Sequence, residues 1–143
     1  MTCWLYVIAE VANGGTDHPS CKIGISKDVA SRLSGLQFSS PRKLEVRASW
    51  EFIDASSARD FERTIHRRLV KHRSHGEWFA MKPALAISHI AKLITQLRSF
   101  DGYFEIDGRH LRIVRRDDDL IDFMCREDVP YGVIFNPRHH GKN

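Results

Sequence analysis

Cys3-Trp4-Leu5-Tyr6-Val7-Ile8-Ala9 and, beyond a turn, Cys21-Lys22-Ile23-Gly24-Ile25 decide the fold. The first run is continuously apolar, β-branched and aromatic, which suits a strand covered on both faces. Asn13-Gly14-Gly15 and Pro19 break it and turn the chain. The second run then reads as a strand antiparallel to the first. Asp28 or Ser26 can cap a helix over roughly 28–37, whose inner face is Val29, Leu33 and Leu36. Residues 44–52 alternate, with Leu44, Val46, Ala48, Trp50 and Phe52 on one face.

A second helix is expected over 56–73, with the stripe Ala58, Phe61, Ile65 and Leu69 turned inward. Ser74-His75-Gly76 stops it, and 77–81 reads as a short strand or ordered loop. Pro83 opens a third helix with Ile87, Ile90, Ala91, Ile94 and Leu97 on its inner face. Residues 104–113 carry a hairpin pattern around Asp107-Gly108. A short helix over 120–125, a strand over 131–135 and a tail from Pro137 complete the reading. The fold class is therefore α/β in the α+β sense, and the family resemblance given below implies a small three-stranded antiparallel sheet flanked by helices. Residues 1–100 form the main domain. Residues 101–143 form an appendage, too short for a core of its own, that docks on the first domain or on a second copy.

Composition narrows the function classes. Hydrophobic residues make up 42% and charged residues 28% of the chain, a folded rather than a disordered balance. The net charge of +4 permits nucleic acid as a partner without demanding it. The basic excess lies in residues 1–100, with 15 Lys/Arg against 9 Asp/Glu, whereas residues 101–143 hold 7 against 9. Cys3, Cys21 and Cys125 are odd in number and lack metal spacing, which favours reduced thiols and a cytoplasmic setting. No apolar run approaches the ~18 residues of a membrane span.

Phosphodiester cleavage needs a deprotonated water, a cation for the phosphorane and help for the leaving oxygen. Several residues have the right chemistry. Tyr6 is a strand tyrosine, either a core residue or a proton handler. Lys22 either points to solvent or lies across from Tyr6, where its charge would lower the phenol pKa. Gly24 either marks a bulge or clears space where the backbone meets a site. Arg32 flanks the inner stripe of the first helix, as a surface cation or a phosphate ligand. Glu62 and His66, four residues apart, stack on one helix face as a ligand and base pair or as an ordinary helical pair. Arg63, Arg67, Arg68, Lys71 and Arg73 make a basic stretch that could follow a phosphate backbone. His66, His72 and His75 lack the cysteine spacing that would support zinc.

Taken singly, each of these residues also suits an ordinary role in the fold, and their order carries more. The chain resembles the GIY-YIG endonuclease superfamily over roughly residues 3–95, in the bacteriophage-associated branch whose second motif reads Lys-Ile-Gly. Trp4-Leu5-Tyr6 stands for Gly-Ile-Tyr and Lys22-Ile23-Gly24 for Tyr-Ile-Gly. Arg32 falls at the arginine spacing, Glu62 at the glutamate, and Gly76-Glu77-Trp78-Phe79 at a closing structural motif. The resemblance implies a metal-dependent DNA endonuclease with one Mg2+ or Mn2+ on Glu62. It implies phosphate stabilisation by Arg32 and a base or water-positioning role for Tyr6. Lys22 replaces the second tyrosine, a departure some nucleases of the superfamily tolerate, and His66 would supply a further proton acceptor. The implied partner is double-stranded or branched DNA, with no membrane, and residues 101–143 would serve a homodimer contact or a partner protein. The competing readings are a catalytically inactive nucleic-acid-binding module and a protein-interaction module of the same fold.

Overall fold

The computed structural model describes residues 1–98, 104–107 and 110–113. Strand β1 (Cys3–Val11) pairs antiparallel with β2 (Asp17–Ser26) on one edge and with β3 (Lys43–Phe52) on the other. Helix α1 (Val29–Ser39) joins β2 to β3, and α2 (Ala55–Arg68) follows β3. A single 3-10 turn, Val70–His72, leads into the short strands β4 (Arg73–His75) and β5 (Trp78–Phe79). Helix α3 (Pro83–Arg98) and the strands β6 (Phe104–Asp107) and β7 (His110–Ile113) complete the described chain.

The sheet is wider than the three strands expected. Its order is β4-β5-β2-β1-β3-β7-β6. Strands β4 to β3 in that order run antiparallel. The segment around Trp78 adds itself to the free edge of β2, with Lys22 opposite Trp78 and Cys21 opposite Phe79. At the far edge β7 joins β3 in parallel, Phe52 opposite Leu111, and the Ile53 amide donates to the Leu111 carbonyl at 2.8 Å. An open strand edge exposes unpaired amides and carbonyls, and these short segments satisfy them. The turn after Asp107, the helix over 120–125, the strand over 131–135 and the tail from Pro137 lie outside the described residues.

Two apolar layers cover the sheet. Leu5, Val7, Cys21, Ile23, Phe52 and Phe79 meet the inner stripes of α2 and α3. On the other face Tyr6, Ile8 and Leu44 pack against Val29, Leu33 and Leu36 of α1. Both caps are aspartates: Asp28 accepts from the Ser31 amide at 3.0 Å and Asp54 from the Ser57 amide at 2.8 Å. Helix α2 ends at Arg68, five residues short of expectation, because the chain tightens into the 3-10 turn and then extends. In α3 the buried stripe is Ala86, Ile90, Leu93 and Ile94, and Ala91 faces out.

Strand β3 departs from simple alternation. Val7 pairs with Ala48 but Ile8 pairs with Val46, so Arg47 is bulged out of register. The extra residue moves Leu44 and Val46 to the α1 face while Trp50 and Phe52 stay on the α2–α3 face. Arg47 closes the bulge by gripping Asp17 with Nε at 3.1 Å and Nη2 at 2.6 Å. Among the described residues, no helix is long and apolar enough to cross a membrane.

Phe61 is wholly buried and meets the ring of Phe52 with centroids 5.4 Å apart. Phe61→Ala is expected to lower unfolding stability by about 3–5 kcal/mol, measured by urea denaturation.

Candidate functional site

The site grows from the register of β1 and β2. Tyr6 stands directly opposite Gly24. A Cβ on Gly24 would lie 2.5 Å from the Tyr6 Oη, 2.8 Å from its Cζ and 3.3 Å from Glu77 Oε2. Gly24 is therefore the gap through which the phenol reaches across the strand, not a bulge. The Arg32 side chain, from the exposed first half of α1, stands within interaction range of the Tyr6 hydroxyl. Burial pushes the phenol above its ordinary pKa; Arg32 works against that, and the charges of Glu77 and Glu62 add to it.

Lys22 does not lie across from Tyr6. Its register partner is Ile8, and its ammonium is 3.0 Å from Glu77 Oε1 and 5.9 Å above the Trp78 ring. The residue is only 6% exposed, because β5 covers the edge that alternation would have left to solvent. The cation beside the phenol is Arg32 instead, so the expected lowering of the Tyr6 pKa by Lys22 does not occur.

Helix α2 brings Glu62 and His66 one turn apart beneath the same edge. Glu77, held by the hydrogen bond from the Ile23 amide to its carbonyl at 3.0 Å, completes the group. One ligand atom from each of Glu62, His66 and Glu77 lies within 4.8 Å of the others. The two carboxylates oppose each other. Burial first, and then the neighbouring Glu77, push Glu62 up to about 8. For Glu77 burial acts upward too, but the neighbouring Glu62 carboxyl and the Lys22 ammonium hold it below its ordinary value. Glu62 Oε2 is buried and, among the described residues, has no hydrogen-bond partner. A buried carboxylate oxygen without a donor, facing a second carboxylate and an imidazole, fits a divalent cation.

His66 Nε2 donates to the Ile23 carbonyl at 2.7 Å, and its ring meets Phe79 edge-on at 5.0 Å. That bond assigns the proton to Nε2 and leaves the lone pair on Nδ1. Burial lowers the His66 pKa despite the bond to Ile23, so the ring is neutral at pH 7.

The basic stretch is divided. Arg63 and Arg67 are exposed on α2, whereas Arg68 is buried. Lys71 lies in the 3-10 turn and Arg73 in β4, where its Nε donates to the Gly76 carbonyl at 2.7 Å. No continuous helical stripe of cations forms, because the helix stops at Arg68. His72 and His75 do not join His66 in any ligand group among the described residues.

Residues 3–95 match the T5orf172 domain. The chain belongs to the T5orf172 domain family. This is a phage-associated domain found in endonuclease-like proteins; the match is to that domain and not to the GIY-YIG superfamily expected from the motifs. No curated protein and no solved structure matches the chain. Tyr6, Lys22, Gly24, Arg32, Glu62, His66 and Glu77 all fall inside the T5orf172 span. Sequence reasoning gave Glu77 only a structural part. Its carboxylate is instead shared between Lys22 and the Glu62–His66 pair, across 55 residues from Lys22.

Glu62 binds its proton more tightly in the folded protein, with a pKa near 8, than an ordinary glutamate does at 4.5. The folded protein therefore holds the extra proton between those values, and stability falls as pH rises through that window. In metal-free buffer the T5orf172 protein is expected to melt at lower temperature at pH 8 than at pH 5, and Glu62→Gln is expected to flatten that slope. A Glu62→Gln melting profile as steep as the wild type would refute the assignment.

Proposed function

We propose that this T5orf172 protein is a metal-dependent DNA endonuclease that hydrolyses phosphodiester bonds. The observation that carries the reading is the Glu62–His66–Glu77 group, with its unpartnered buried oxygen, beside the Tyr6–Arg32 pair. Glu62 and Glu77 are the residues that would hold one Mg2+ or Mn2+, and the ion would supply Lewis acidity for the phosphate and the leaving oxygen. Arg32 is exposed and would bring paired guanidinium donors to the non-bridging oxygens beside Tyr6.

The proton roles follow from the pKa directions. Tyr6 keeps its proton at neutral pH, since burial raises its pKa, so it orients the attacking water as a hydrogen-bonding group. His66 is neutral and carries its lone pair on Nδ1, which makes it the proton acceptor. Lys22 fixes the direction of Glu77 from 3.0 Å. Arg63, Arg67, Lys71 and Arg73 add positive charge for a double-stranded or branched DNA backbone.

One observation favours a second reading, a binding module without catalysis. The Lys22 ammonium already occupies one oxygen of Glu77 and competes with a metal for it. Nicking of supercoiled plasmid separates the two. With Mg2+ or Mn2+ the wild type is expected to nick. Glu62→Gln is expected to lose on the order of 10²-fold or more in rate while its DNA affinity stays within a few-fold. DNA binding without nicking in either metal would select the inactive module, and neither binding nor nicking would remove both.

Lys22→Met gives an independent check on the metal. Freed of the ammonium, Glu77 is expected to bind Mn2+ more tightly, read as a larger Mn2+-induced rise in melting temperature. An unchanged or smaller rise would place the metal away from Glu77.

A further inference from the structure

Helix α1 covers one face of the sheet with Val29, Leu33 and Leu36, yet none of its residues is fully buried. Its other side has an unusual composition for a surface helix. Residues 29–44 contain Arg32, Arg42 and Lys43 and no carboxylate. The outward positions are Ser31, Arg32, Ser34, Gly35 and Phe38, all exposed. Phe38 is 95% exposed, so this ring makes almost no contact with its own protein.

Gly35 is the second anomaly. Glycine in a helix interior is less favourable than alanine by roughly 1 kcal/mol. Its backbone φ is not positive, and a Cβ there would meet nothing within 4 Å among the described residues. Nothing in the fold therefore calls for a missing side chain. At about 100° per residue, Gly35 lies between Arg32 and Phe38 around the outer surface. Phe38 is about 9 Å further along the axis than Arg32, from ~1.5 Å rise per residue. That interval spans two to three base steps, at about 3.4 Å per step of one strand.

We propose that the outer face of α1 is a DNA-docking surface, in which the strand passes over Gly35 with a phosphate at Arg32 and Phe38 stacks on a base. The inference rests on the nuclease reading for its placement of Arg32 at a phosphate. Charge selects the occupant: around Gly35 the exposed Lys27 and Arg32 stand against one carboxylate, Asp28, which is engaged in capping α1, and such a net positive face suits a polyanion. An aromatic ring supplies the sequence-tolerant π-contact that bases accept. Arg42 is partly engaged, with Nε 3.4 Å from Glu10, and borders the face rather than filling it.

The test measures binding of a short fluorescein-labelled branched DNA, a duplex carrying a single-stranded flap whose bases are free to stack, to the full chain by anisotropy in EDTA, together with the melting temperature. Phe38→Ala is expected to weaken binding about tenfold, the loss of one stacked base. Its melting temperature should not change, and neither should its salt slope, because the lost contact is not ionic. Phe38→Trp should bind as the wild type does. Gly35→Leu should melt a few degrees higher, since leucine is the better helix former, while binding DNA more weakly. These opposite signs are what a glycine kept for an external partner predicts, whereas a glycine needed by the fold would lower the melting temperature.

Wild-type binding matched by both Phe38→Ala and Gly35→Leu would overturn the docking surface and leave the nuclease reading standing. Self-association lost in Phe38→Ala with DNA affinity intact would overturn it in favour of a second copy of the chain. No DNA binding by the wild type would overturn both the surface and the reading it rests on.

Discussion

Strand β1 gives both faces and both edges to the protein. Leu5, Tyr6, Val7, Ile8 and Ala9 are all buried, and the strand pairs with β2 and β3 along most of its length. The two apolar layers meet the sheet through this one strand, Leu5 and Val7 on the α2–α3 side and Tyr6 and Ile8 on the α1 side. A shift of one residue in its register would exchange these two sets. It would also take Tyr6 away from Gly24, the position that gives its ring room. The core and the candidate site thus rest on the same alignment.

The bulge at Arg47 lets that alignment serve two unequal layers. A regular β3 would send Leu44, Val46, Trp50 and Phe52 to one face, leaving the α1 face with too little to bury. One extra residue divides them between the faces. The guanidinium of Arg47 then ties the bulge to Asp17 at the start of β2, which holds that carboxyl below its ordinary pKa. Exposed ion pairs contribute little to stability, so this contact acts chiefly by fixing geometry.

Charge around the site is arranged at a cost to the fold. Glu62 and Glu77 approach each other in partly buried surroundings, Lys22 pairs with Glu77, and Glu62 Oε2 has no hydrogen-bond partner among the described residues. Their proximity and burial keep a proton on Glu62 near neutral pH while Glu77 stays charged. The neighbouring Tyr6–Arg32 pair is also drawn from a different layer of the fold, since α1 and α2 lie on opposite faces of the sheet. Near the β2–β5 edge, where Gly24 leaves room for the Tyr6 ring, groups from both layers come together.

Local patterns were enough for much of this. The unbroken apolar run of β1, the stripe Ala58, Phe61, Ile65 and Leu69, and the capping Asp28 express steric and hydrogen-bonding preferences that act within a few residues. The order of Tyr6, Lys22, Gly24, Arg32 and Glu62 likewise pointed to phosphodiester chemistry through a family resemblance. Tertiary structure decided the rest. Whether Lys22 faced solvent depended on β5 covering its edge, and whether Glu77 joined Glu62 depended on an ion pair 55 residues apart in the chain. The face taken by Leu44 depended on a bulge answered by Asp17, thirty residues from Arg47. Such outcomes follow from which strand edges meet and which charges are desolvated together, and neither quantity exists until the chain has folded.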